Sequence, residues 1–250
     1  MGVVISVANM KGGVAKTTTV LALGSALNKE GKRILLIDVD SSKDLSISLG
    51  IPEDTKYTSN DIFNGKDINS TIIKLENDLH IIPANKDLIG TQMKLKKGDV
   101  LSRALEDVKN KYDYIIIDSA PSMSILNVNA IVASQLIITA LEPEYLALTG
   151  LKDFLEIVKL LDDKYDIKPP IIKILITKYD QRKGLHREAV KQISKHFKDM
   201  LLKTKIRTCV KLAEAPSYFK DIFEYAPSSH ASEDYKKLSE EVRGIKWMIN

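Results

Sequence analysis

Cysteine is almost absent: Cys209 is the only one in 250 residues. A single thiol excludes an internal disulfide framework and fits a reducing compartment. It also leaves too few thiolates for a zinc or iron–sulfur site. The four histidines, His80, His186, His196 and His230, show no ligand spacing and are assigned no chemistry. Long apolar runs are missing too, and none approaches the ~18 residues that span a bilayer. The N-terminal stretch MGVVISVANMKGG has no charged region before its apolar part, so no signal peptide is expected. Repeats, low-complexity stretches and Pro/Gly/Ser-rich linkers are absent as well. At ~100–200 residues per domain, the chain is read as a single domain over 1–250, with 244–250 a short tail.

Charge of one sign is scarce overall, with a net of +4, but it is unevenly spread. Residues 1–125 hold 16 basic and 16 acidic side chains, and residues 126–250 hold 21 and 17. Within 182–211 there are ten basic and two acidic residues. A block of that kind binds polyanions even in a nearly neutral protein.

The first fifty residues carry the clearest chemistry. Val3–Val7 is β-branched and apolar, a short buried strand. A glycine-containing loop follows, Lys11-Gly12-Gly13-Val14-Ala15-Lys16-Thr17-Thr18. Val20, Leu21, Leu23 and Leu27 then give a helical face that ends near Gly31. Strand, glycine loop, Lys-Thr, helix is the context of a phosphate-binding loop. Its backbone N–H groups and the helix N-terminus attract phosphate. Lys16 is expected to reach the terminal phosphates and Thr17 to ligate Mg²⁺. Lys11 is a charge that an ordinary phosphate loop does not require.

With that second lysine, the loop KGGVAKTT resembles the deviant Walker A motif, KGGVGKTT, of the ParA and MinD partitioning ATPases. The resemblance implies that Lys11 crosses a dimer interface to the partner's nucleotide. Ala15 stands where the family usually has glycine, and a Cβ strains the loop if the position needs φ > 0. The strand Arg33–Asp40 ends in Asp38 and Asp40, similar to the family's D-x-D, so Asp40 is expected to orient the attacking water and help hold Mg²⁺. The alternative for Asp40 is a strand-end carboxylate capping the next helix. The family usually continues P-Q-x-N, where this chain has Ser41-Ser42-Lys43-Asp44.

The resemblance continues to about residue 243. Leu79–Ala84 resembles a family strand. Tyr112–Pro121 reads as a central strand whose Asp118 emerges at the C-terminal end, where open α/β sheets bind ligands; it is the expected Mg²⁺ carboxylate. Leu136–Ala140 is a further strand, and Glu142–Leu151 resembles Q-x-E-Y-x-A-L-x-G-L. Helix 151–164 and strand Ile171–Thr177 follow. Thr177-Lys178-Tyr179-Asp180 also fits the guanine-reading [NT]-K-x-D, but the other segments look like ParA and favour adenine, with Asp180, Arg207 and Pro216 placed near the base. Val210–Ser217 resembles V-R-L-x-E-A-P-S, which separates ParA from MinD.

Helix 185–201 is expected to carry a core stripe of Val190, Ile193, Phe197 and Leu201. Arg187, Lys191, Lys195 and Lys198 share a neighbouring face and, with Lys211 and Lys220, are the DNA-contacting candidates. The bland reading of that face is solvated lysine.

The expected fold is thus α/β: a single-domain P-loop NTPase with a mostly parallel twisted sheet and helices on both faces. The resemblance implies Mg-ATP-dependent homodimerisation, non-specific DNA binding, slow ATP hydrolysis and a ParB-type centromere-binding adaptor, in a cytoplasmic, nucleoid-associated protein. Two other classes share the phosphate loop: a MinD-type membrane-cycling protein and a slowly hydrolysing DNA-binding regulator. The tail, with Trp247, is expected to pack on the domain, because a short apolar tail anchors poorly by itself.

Overall fold

A computed structural model describes residues 2–144 and 147–246. In chain order the elements are β1 (Val3–Val7), α1 (Lys16–Lys29), β2 (Ile34–Asp38), α2 (Asp44–Ser48), α3 (Ser59–Phe63), β3 (Ile73–Lys74), β4 (His80–Ile82), α4 (Leu88–Lys94), α5 (Val100–Leu105), β5 (Tyr114–Asp118), α6 (Ile125–Val132) and β6 (Leu136–Leu141). They continue with α7 (Ala147–Tyr165), β7 (Ile171–Tyr179), α8 (Gly184–Phe197), β8 (Leu201–Arg207), α9 (Lys211–Glu214), α10 (Ile222–Tyr225) and α11 (His230–Arg243).

The strands form one sheet in the order β3-β4-β2-β5-β1-β6-β7-β8. Only the β3–β4 pair is antiparallel among the described strands. Strands β1, β2, β5 and β6 are buried at every residue, as expected of parallel strands covered on both faces. Their side chains still alternate. Ile5, Leu36, Ile116 and Ile138 pack toward α1 and α11, while Val4, Leu35 and Ile115 face the layer of α3, α5 and α6. Farther along, Ile174 and Ile176 meet Leu151 of α7 and Ile193 of α8. The chain moves one way from β1 to β2 and crosses β1 again between β5 and β6, so the C-terminal ends around β1 form the sheet's switch point, where ligands settle.

Several expected boundaries shift; the strand expected over Arg33–Asp40 is Ile34–Asp38, because Asp40 already belongs to the turn before α2. The helix expected over 185–201 ends at Phe197, and Leu201 opens strand β8 instead of closing a helical stripe. The Ile174 amide donates to the Met200 carbonyl at 2.8 Å, and the Lys173 ammonium to the Asp199 carbonyl at 2.7 Å. Pairing with β7 therefore overrides the helical spacing, and Leu201 still reaches the same core from a strand. Helix α7 is already formed at Ala147, four residues before the expected start. Tyr145 and Leu146 of the Glu142–Leu151 segment, and Trp247 of the tail, lie outside the described residues.

Strand β8 is one edge of the sheet, and an uncovered edge invites aggregation. Helix α11 covers it. The Lys203 and Thr204 amides donate to the Glu241 carboxylate, and the Arg207 amide to Asp234.

Candidate nucleotide site

The loop between β1 and α1 is held from several sides. The Asn9 side chain donates to the Ala140 carbonyl at 2.7 Å and accepts from the Lys11 amide at 2.9 Å. The Thr177 hydroxyl donates to the Val14 carbonyl at 3.0 Å. The Thr19 amide and hydroxyl both donate to the Ala15 carbonyl. Gly13 has φ 73° and Ala15 φ 66°, ψ 36°, so Ala15 opens helix α1 from the left-handed region. The strain expected of a Cβ at this position is therefore present. Gly12 lies over Pro121.

The two loop lysines have different surroundings. Lys16 is buried at 7% exposure, and its ammonium donates to the Lys11 carbonyl at 3.1 Å. Burial lowers its pKa, while Asp118, Asp40 and Asp44 pull the other way. Lys11 is exposed, and its ammonium pairs with the equally exposed Glu144.

Strands β2 and β5 end in register, with Asp38 beside Asp118. Both are fully buried. Among the described residues neither Asp118 oxygen has a hydrogen-bond partner, an arrangement that is costly without a cation. Burial, with Asp38 alongside, raises the Asp118 pKa; Thr17 and Lys16 favour the charged form, although the Thr17 contact does not reach hydrogen-bond geometry. Asp118 and the Thr17 hydroxyl offer hard oxygen donors, and a Mg²⁺ that keeps water and phosphate ligands needs few carboxylates. The residues present therefore fit Mg²⁺ held together with phosphate. Among the described residues no cluster of three His, Cys, Asp or Glu would hold a metal without it.

Asp40 is 9% exposed, and one of its oxygens accepts from the Ser42 amide at 2.9 Å. It thus shapes the turn before α2 without capping that helix, whose N-cap is Lys43 and whose Ser46 amide donates to Asp38 instead. Asp38 does more than the sequence indicated. It accepts from the Asp40 amide, the Ser46 amide and the Ser46 hydroxyl at 3.0, 3.0 and 2.6 Å. Burial pushes its carboxyl up to about 6, against those hydrogen bonds. The only sequence signal for this was a carboxylate closing an otherwise apolar strand; Ser46 carried none.

The residues expected near the base do not share one cleft. Pro216 lines a small cleft with Thr17 and Thr18. Asp180 and Arg207 line a separate one beside β8. The Arg182 guanidinium binds both Asp180 oxygens and holds that carboxyl well below the usual range. Arg207 is tied to Asp234 and Glu233.

The DNA-contacting candidates also divide. Arg187, Lys191, Lys195 and Lys198 are exposed along α8, on the sheet face shared with α7. The Arg187 guanidinium is spent on the Gln181 and Arg182 carbonyls. Lys211 and Lys220 sit at α9 and just beyond it, beside α1 and α10 on the opposite face, and Lys211 pairs with Glu214. One protomer therefore does not gather the set into a single patch.

Comparison with known proteins agrees with this geometry. Residues 2–173 match the AAA domain family. The sporulation initiation inhibitor protein Soj of Bacillus subtilis is 39% identical, covering 97% of this chain and 98% of its own. The chromosome partitioning protein ParA of Caulobacter vibrioides is 34% identical, covering 96% and 93%. Among solved structures, cobyrinic acid a,c-diamide synthase from Mycobacterium smegmatis with bound ATP analog and magnesium superposes with a TM-score of 0.82 at 25% identity, covering 99% of this chain and 98% of that one. With a phosphate loop at the switch point, a buried strand-end aspartate behind it and full-length likeness to Soj and ParA, the chain belongs to the ParA/MinD family of partition ATPases.

Proposed function

We propose that this ATPase binds Mg-ATP, closes as a homodimer over two nucleotides, holds DNA without sequence preference in that state, and resets through slow, adaptor-stimulated hydrolysis. The observation that carries the reading is the contrast between its two loop lysines. Lys16 is buried against its own loop, whereas Lys11 is exposed and paired with exposed Glu144. An exposed ion pair is worth little, so a second protomer's phosphates displace Glu144 at small cost.

Within one protomer, the loop amides and Lys16 bind and orient the phosphates, and Thr17 and Asp118 are the residues that would hold the metal. Bound Mg²⁺ neutralises charge that builds on the transferring phosphoryl oxygens. Asp40 orients water with the oxygen that the Ser42 amide leaves free. Adenine lies on the Pro216 side of the loop, where Thr17, Thr18 and Pro216 share a cleft. The DNA reading gains support from the unpaired lysines of α8, and two protomers on one rigid body multiply affinity through effective concentration. The Soj and ParA likeness supports a ParB-type partner and a cytoplasmic, nucleoid-associated location.

The test is light scattering after size exclusion, with and without ATP, for the wild type and Lys11→Ala. The variant is expected to bind ATP yet stay monomeric. A variant that dimerises as well as wild type refutes the role of Lys11 across the interface.

A further inference from the structure

Residues 86–97 read Lys-Asp-Leu-Ile-Gly-Thr-Gln-Met-Lys-Leu-Lys-Lys, four lysines against one aspartate. Helix α4 turns Leu88 and Thr91 inward and leaves Ile89 56% and Met93 83% exposed. At i and i+4 these two share a helix face. Lys86, Lys94, Lys96 and Lys97 are all exposed, and none makes an ion pair among the described residues.

On another side of α4, apart from Ile89 and Met93, lies a groove of about 650 Å³, with Asn60 and Phe63 of α3 and the following Asn64 on one wall and Lys86, Asp87, Lys94 and Leu95 on the other. Its walls are braced. The Thr91 hydroxyl donates to the Asn60 side chain at 2.6 Å, and the Asn64 amide donates to Thr91 at 3.2 Å. A groove already rigid in the free protein loses little entropy when filled.

The segment that leads into α4 also connects to the phosphate site. The Ser46 hydroxyl donates to Asp38 and accepts from the Ala84 amide at 2.9 Å. Ala84 lies four residues before α4. A change in charge around Asp38 and Asp118 therefore has a hydrogen-bonded route as far as Ala84, in the segment that leads into this helix.

We propose that the α3–α4 face docks an acidic amphipathic helical segment of a partner protein, and that nucleotide at the phosphate loop changes its affinity. The lysines select the acidic partner. Exposed Ile89 and Met93 call for apolar anchors, and methionine suits a surface that moulds to them. Duplex DNA fits less well, because it would leave both apolar side chains wet and finds no arginine fork here.

The probe is a labelled synthetic helix with leucines at i, i+3, i+4 and i+7 and glutamates opposite, read by fluorescence anisotropy on the nucleotide-free protein. A sister peptide carries lysines in place of glutamates. The acidic peptide is expected to bind, and Met93→Asp to weaken it about tenfold with unchanged thermal unfolding. Lys94→Glu with Lys97→Glu is expected to reverse the preference toward the basic peptide. Equal binding of both peptides, indifference to Met93→Asp, or duplex DNA or anionic vesicles bound through these lysines in place of the peptide overturns the docking surface.

The nucleotide arm rests on the reading of the phosphate loop. A fluorescent non-hydrolysable ATP analogue with Mg²⁺ is titrated in the same cell, so bound nucleotide is measured directly. Peptide affinity is expected to shift at least threefold once nucleotide is bound, with the reciprocal shift in nucleotide affinity. Bound nucleotide with unchanged peptide affinity overturns the relay, whereas absence of bound nucleotide refutes the phosphate-loop reading and leaves the first arm's result standing.

Discussion

Ala15→Gly should make the protein more stable, although it removes a methyl group from a half-buried loop. Ala15 holds φ 66°, ψ 36° at the start of α1. An L-residue pays about 1–2 kcal/mol for that conformation, and alanine is a poor residue at a helix N-cap, where it makes no side-chain hydrogen bond. Glycine removes both penalties. It also loosens the unfolded chain, at a cost of about 0.4–1 kcal/mol. The balance is a gain of about 0.5–1 kcal/mol, or roughly 1–4 °C in Tm for a domain of this size. Gly13 gives the mirror experiment. It has φ 73°, and a Cβ there meets nothing within 4 Å. Gly13→Ala therefore adds backbone strain without a clash and should cost about 1 kcal/mol. Both variants are checked by thermal unfolding without nucleotide, followed by titration with a fluorescent ATP analogue. Ala15→Gly should hold ATP as tightly as wild type or more so. A lower Tm or weaker ATP binding for Ala15→Gly would refute the argument and show a loop adapted to the methyl group.

Asp40→Ala is expected to slow hydrolysis by about tenfold or more, within the range of a lost acid–base or positioning group, and to trap the ATP dimer; unchanged turnover in single-turnover assays moves the role elsewhere. In the metal-free protein Asp38 and Asp118 have raised pKa values. The native state then binds more protons than the unfolded one, so stability is greatest below the ordinary value of 3.8 and is lost as pH climbs through about 6. Tm should be lower at pH 7 than at pH 5, and Asp118→Asn, which removes one of the two buried carboxyls, should narrow that gap while abolishing Mg-nucleotide binding. Lys191→Glu with Lys195→Glu should weaken DNA binding and flatten its log–log salt slope by about 0.9 per lost phosphate contact, as read by DNA titrations at several salt concentrations. Lys211→Glu tested separately reports whether the opposite face joins that contact.

Much of the candidate site was legible from residue order alone, because its chemistry is local. A glycine loop between an apolar strand and a helix has few other uses, and Lys16, Thr17 and Ala15 sit within a few residues of one another. The central strands β1, β2, β5 and β6 declared themselves through continuous apolar runs, since both faces of the sheet are covered there. Asp118 was legible too, as the one carboxylate closing such a run after Tyr112. What depends on residues distant in sequence was not. The register of β2 with β5 sets Asp38 beside Asp118, and Ser46 satisfies Asp38 only once α2 folds back against β2. Helical spacing assigned Leu201 to a helix, but hydrogen bonding to β7 made it a strand residue. Linear charge density joined Lys191 to Lys211, whereas the sheet runs between them. Asp180 and Arg207 suggested contacts with the base, yet the folded chain supplies them with Arg182, Glu233 and Asp234. Local chemistry is written in neighbouring residues; which charges meet, which are neutralised and which share a face is decided by strand order and register, because these set distances between residues far apart in the chain.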